Sequence, residues 1–159
     1  MPLEIAPLGE RSVRIRRSFA APRAGVWRAF TEPALVTKWL WARAHPMIEC
    51  VQDVRPGGQL RWVWQGPAGW RMGLSGSYLE VVPPVRLVHT ELFDEDWTGG
   101  EAVVTILLHD VAGGTAMEMT VAYASPAARD AVLRTPMAEG MEEGYARLDT
   151  FLPLWAGAA

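Results

Sequence analysis

The sequence predicts an α+β fold: a curved antiparallel sheet of about six to seven strands gripping one long C-terminal helix, with two short helices after the first strand. Three observations predict it. Met137, Met141, Tyr145, Leu148 and Leu152 recur at three- and four-residue steps, which puts them on one apolar helix face that needs a partner. From Met47 to Ala124 the period is two instead, interrupted by proline- and glycine-rich turns. Ahead of that region lie one alternating segment and two short helical ones.

Met1 to Glu10 has no period and reads as a loose tail, so the domain is expected over residues 11–155. In Ser12–Phe19, Val13, Ile15 and Phe19 alternate with Arg14, Arg16 and Ser18, as in a strand. Ala21-Pro22 ends it and opens a helix over Arg23–Phe30. Thr31-Glu32-Pro33 then starts a second helix, Ala34–Leu40, with Trp39 and Trp41 at its exit. Strands follow over Met47–Val54, Gln59–Gln65 and Trp70–Val82, the last bent at Gly73 or Gly76. Leu87–Phe93 returns from a break at Pro83-Pro84, and Glu101–His109 with Thr115–Ala124 forms a hairpin. Ser125-Pro126 restarts helical sequence, which Pro136 interrupts. Thr135 is placed to cap the final helix, expected over Thr135–Leu152. Gly140 and Gly144 beside its apolar face imply close approach to a surface or a cavity.

Composition narrows the function. A chain of 159 residues suits one domain with a sizeable core. The net charge of −3 gives no general attraction to nucleic acid or anionic membranes. Eight tryptophans are unusual, and suggest a pocket or interface as well as a core. Cys50 is the sole cysteine, and there is neither a signal-peptide pattern nor a long apolar run, which favours the cytoplasm and argues against membrane insertion. His45, His89 and His109 fall on different elements, so no metal-ligand spacing arises and no cofactor is implied. Arg55-Pro56-Gly57-Gly58 lacks the lysine and helix of a phosphate loop, and Gly73-Leu74-Ser75-Gly76 is one residue short of a nucleophile elbow.

Several segments, taken in order, resemble the START-like (SRPBCC, Bet v 1-like) helix-grip superfamily, and within it the activator of Hsp90 ATPase homologue 1-like branch. They are Val13–Phe19, Ala21-Pro22, Val26–Thr31, Lys38-Trp39-Leu40, Asp53–Gly58, Gly76–Pro84, Arg86–Glu91, Gly113-Gly114-Thr115 and Gly140–Leu148. Tyr145 departs from the pattern, standing where tryptophan is common. The resemblance implies a cavity between sheet and C-terminal helix for small apolar or amphipathic molecules. It leaves the reaction open, since the superfamily includes lipid carriers, polyketide cyclases and co-chaperone domains.

Candidate site residues come from the hairpin around Pro83-Pro84. If Val82 pairs with Leu87, then Glu80 faces His89, Tyr78 faces Glu91, and all four share one side of the sheet. The resemblance turns that side inward. A carboxylate beside an imidazole in such a pocket either moves protons or orients a ligand by hydrogen bonding. Trp39, Trp41, Trp62 and Trp64 are candidate ligand-stacking residues, with Tyr78, His89 and Tyr145, and Met117, Met119 and Met141 as a soft lining. For each of these the competing role is ordinary core packing.

Three functions follow as expectations: binding of a small hydrophobic or aromatic ligand; a cyclase- or hydrolase-type reaction using Glu80, His89, Glu91 or Tyr78; and, from the family name, stimulation of an Hsp90-type ATPase by protein contact. Homodimerisation is compatible with this type of domain, with Trp97 and Trp155 as contact residues.

Overall fold

The structure, a computed structural model, describes residues 3–155. Eight antiparallel strands form one sheet: β1 Glu4–Leu8, β2 Ser12–Phe19, β3 Met47–Gln52, β4 Gln59–Gln65, β5 Arg71–Val82, β6 Arg86–Phe93, β7 Ala102–Val111 and β8 Gly114–Ala122. Their order is β1-β2-β8-β7-β6-β5-β4-β3. Helices α1 (Arg23–Thr31) and α2 (Pro33–Trp39) link β2 to β3, while α3 (Pro126–Leu133) and α4 (Met137–Trp155) close the chain. None of the described helices is long and apolar enough to cross a membrane.

The sheet thus has one strand more than the six to seven expected, and the extra one is β1. Residues 4–8, read as tail, pair with β2 from Glu4↔Arg16 to Leu8↔Ser12. Pro7 hides the signal, because proline breaks a strand pattern yet is tolerated on an edge strand.

Alternation in β2 matches burial. Val13, Ile15 and Phe19 are buried, and so is Arg17 on the same face as these apolar residues. In α4 the predicted stripe is the buried one: Leu148 and Leu152 are sealed in the core, Tyr145 nearly so, and Met137 and Met141 are partly buried at the N-terminal end. Burying one such leucine contributes about 2 kcal/mol before entropy is counted. The helix begins at Met137 rather than Thr135. The Thr135 hydroxyl donates to the Val132 carbonyl at 2.6 Å and closes α3, while the Pro136 carbonyl accepts the Gly140 N–H. Ser125 caps α3 through the Ala128 N–H at 3.1 Å.

Gly144 marks where α4 runs closest to the end of α2. A Cβ there would stand 3.1 Å from the Trp39 carbonyl oxygen. Arg147 secures the same junction by donating to the Trp39 and Trp41 carbonyls at 3.2 and 2.6 Å. At the other side of α4, Arg17 reaches out of β2 and bonds both Glu142 and Asp149 at 2.8–3.1 Å. The helix is therefore fastened along both edges, and the space beneath it has fixed walls.

Candidate ligand cavity

Between the concave side of the sheet and α4 lies a cavity of about 280 Å³. Its wall is built by alternation. Leu60, Trp62 and Trp64 come from β4, Leu74 and Tyr78 from β5, His89, Glu91 and Phe93 from β6, and Met119 and Val121 from β8. Phe30 and Trp39 close one end, and Met137, Met141 and Tyr145 form the roof. Three indole N–H groups are engaged by the protein: Trp39 with the Ala29 carbonyl at 2.9 Å, Trp64 with the Leu40 carbonyl at 2.8 Å, Trp62 with Gln52 Oε1 at 2.9 Å. These three indoles need no hydrogen bond from a guest.

Tyr78, His89 and Glu91 converge on this space. His89 Nε2 lies 2.8 Å from Glu91 Oε2, and the His89 side chain is 4% exposed. The other ring nitrogen, Nδ1, is buried without a hydrogen-bond partner. Glu80 is not with them. The chain turns over a cis Pro83–Pro84 bond, Val82 pairs with Arg86 instead of Leu87, and the register shifts again between Tyr78 and Glu80. Tyr78 therefore faces His89, whereas Glu80 pairs with Val88 and turns outward to a 3.1 Å ion pair with Arg86.

Of the other candidates, Trp39, Trp62, Trp64, Met119, Met141 and Tyr145 line the cavity. Met117 is buried but lines a separate small pocket near Arg17 and Glu118. Trp41 stands outside, its ring 3.4 Å beneath the Arg147 guanidinium, on an open groove of about 500 Å³. That groove shares Trp39, Trp64, Met72, Phe93, Met141 and Tyr145 with the cavity, so the two adjoin. Trp97 is half exposed, whereas Trp155 is partly buried and stacked on Phe151 at 5.0 Å.

Two site residues escape a sequence reading. Gln52 ties together residues that line the cavity: its amide donates to the Phe30 carbonyl at 3.0 Å and to the Tyr78 hydroxyl at 2.9 Å, and its oxygen accepts from Trp62 and from Cys50. Tyr123, just past the end of β8, also lines the space. Burial raises the phenols of Tyr78, Tyr123 and Tyr145 well above the ordinary tyrosine value, and the Glu91 carboxylate adds to the effect on each. All three are neutral hydroxyls. Burial likewise pushes the Cys50 thiol up to about 11, which leaves it unreactive as a nucleophile at neutral pH.

The arrangement is an apolar chamber with one carboxylate–imidazole pair. It can hold a compact guest, offer it hydrogen bonds, and exchange a proton with it.

No curated protein matches the chain. Solved structures do. A protein from Rhodobacter sphaeroides is 47% identical over 97% of this chain and 99% of its own, with a TM-score of 0.93. One from Nitrosomonas europaea is 27% identical (94% and 99% covered, TM-score 0.81), and one from Mycobacterium smegmatis 25% identical (95% and 97%, TM-score 0.82). The family model described as activator of Hsp90 ATPase homolog 1-like protein matches residues 20–153. With that match and a sheet closed around the last helix, the chain belongs to the activator of Hsp90 ATPase homolog 1-like family of the helix-grip fold.

Proposed function

We propose that the protein binds a small, mainly apolar molecule of one or two rings in the cavity under α4. The observation that carries this reading is unfilled space of about 280 Å³ whose walls are aromatic and aliphatic side chains. An apolar cavity of about 150 Å³ takes up benzene, so this one suits a guest of roughly twice that size, closer to naphthalene than to a sterol. The adjoining groove between Trp41, Trp70 and α4 gives the guest a route from solvent.

A naphthalene-type compound at a hundredfold excess over its Kd should stabilise the fold by about 2.7 kcal/mol, which is a rise in Tm of roughly 5–10 °C. Met141→Trp, at the junction of cavity and groove, should blunt that rise. A flat thermal-shift response across one- and two-ring compounds, with no complex by native mass spectrometry, would dismiss the reading.

The 2.8 Å His89–Glu91 contact favours a second reading, proton transfer on the bound molecule. Glu91 would take a proton from an acidic C–H or O–H of the guest, and His89 would hold the carboxylate through its N–H. The Tyr78 hydroxyl, which accepts from Gln52, keeps its own proton to donate to a developing oxyanion. His89→Leu, which removes the imidazole N–H, should then remove turnover while affinity stays within about threefold. Unchanged turnover would exclude His89. Glu80, exposed and paired with Arg86, drops out of this scheme. Stimulation of an Hsp90-type ATPase rests on the family's description alone and ranks below both. Adding the purified protein to a chaperone ATPase assay tests it.

A further inference from the structure

The cavity's charges are one-sided. Among the described residues its titratable lining is His89, Glu91 and the three phenols, with no lysine or arginine. Arg17, whose charge also reaches Tyr145, is already engaged by Glu142 and Asp149. The hydrogen bonds around His89 favour one arrangement of the dyad's protons. A proton on His89 Nδ1 would be a buried donor with no acceptor, whereas an unfilled lone pair there costs less. With its proton on Nε2 alone, the imidazole donates to Glu91 Oε2 and the pair carries a net charge of −1. Only one Glu91 oxygen is used by His89, and the side chain is 22% exposed. The same cavity is lined by the rings of Trp62, Trp64, Phe93 and Trp97, with the first two indole N–H groups bonded within the protein. A lone carboxylate among aromatic faces is half of a recognition site, because ring faces and carboxylate both attract a cation in a water-poor space.

Resting on the reading that the cavity takes a guest, we infer that this guest is a hydrophobic organic cation: an amine on a one- or two-ring aromatic body, its ammonium on Glu91 and its rings among Trp62, Trp64 and Phe93. A half-buried carboxylate in a cavity with no lysine or arginine should discriminate by ligand charge more strongly than by ligand shape.

Three probes of nearly equal size separate charge from fit: 1-naphthylmethylamine, 1-naphthalenemethanol and 1-naphthoate, titrated calorimetrically into the full chain at neutral pH. The amine should bind at least tenfold tighter than the alcohol, and the carboxylate should bind weakest. Glu91→Gln should bring the amine to within threefold of the alcohol. Glu91→Asp, which keeps the charge, should retain the preference, and it serves if the glutamine variant folds poorly. Alcohol binding equal to amine binding, or an amine preference that survives Glu91→Gln, would overturn the inference while leaving the cavity reading standing. Failure of all three probes would overturn both.

Discussion

Gly76→Ala should cost about 3 kcal/mol or more, enough to leave a domain of ordinary stability largely unfolded or aggregated. The reason is space rather than backbone angle. A Cβ on Gly76 would sit 1.8 Å from the Thr90 carbonyl oxygen, and the obstruction is backbone, which cannot rotate aside. Strand β5 is also held on its other side, because Gly57 N–H donates to the Tyr78 carbonyl at 2.8 Å and Tyr78 N–H to the Gly58 carbonyl at 2.9 Å. Here Thr90 Oγ1 accepts the Ser77 N–H at 3.0 Å. Any shift of β6 to admit the methyl would carry His89 and Glu91 with it, so ligand affinity should fall along with stability. The same substitution at Gly140 is the control. Its Cβ would meet Ala42 Cβ at an ordinary 3.7 Å on a helix, and the gain in helix propensity should stabilise by about 0.5–1 kcal/mol. Urea midpoints of the two variants against the parent decide it. A loss below about 1 kcal/mol at Gly76 would mean the strands do not approach as described.

The same crossing shows where sequence reading runs out. Elements with a long, unbroken period are legible from side chains alone: Gln59–Gln65 is a strand with Leu60, Trp62 and Trp64 on the cavity side, as its alternation predicts. Strand register is another matter. Three residues, Pro83 to Val85, separate Val82 from its partner Arg86, and a bulge lies between Tyr78 and Glu80. One residue of slip moves a side chain to the opposite face, and the bulge separates two positions that alternation would keep together. Hence Tyr78, His89 and Glu91 are gathered as the pattern suggests, but Glu80 is not. Gln52 escapes for a different reason. A glutamine at the end of a strand reads as solvated, and only the tertiary approach of Phe30, Trp62 and Tyr78 gives its amide partners. Residues 4–8 escape because an edge strand containing Pro7 lacks a pattern long enough to see.

Arg17→Met should also cost about 3 kcal/mol at neutral pH, and the loss should shrink in acid. The Arg17 side chain is 2% exposed, between Glu142 and Asp149, with its guanidinium 5.0 Å from the Phe19 ring and 5.7 Å from the Tyr145 ring. Removing the cation leaves two carboxylates facing each other. Because these are 32% and 42% exposed, water relieves part of the penalty, which keeps the estimate at the lower end for a broken buried pair, about 3 kcal/mol. Hydrogen bonding to Arg17 holds the Glu142 carboxyl below its ordinary value of 4.5. A carboxyl depressed in the folded state stabilises above its unfolded pKa, and that stabilisation is lost as pH falls through the folded one. The parent should therefore lose stability below about pH 4.5, where the methionine variant has no such contribution to lose. Denaturant titrations at pH 7 and pH 3 should show the gap between the two proteins narrowing. Adding Glu142→Gln and Asp149→Asn to the methionine variant should recover part of the loss at pH 7, by removing the carboxylate repulsion. A gap equal at both pH values would mean that Arg17 acts by packing on Phe19 and Tyr145 rather than by charge. Either way Tyr145 forms part of the cavity roof, so loosening this tie should weaken the binding of any guest beneath it.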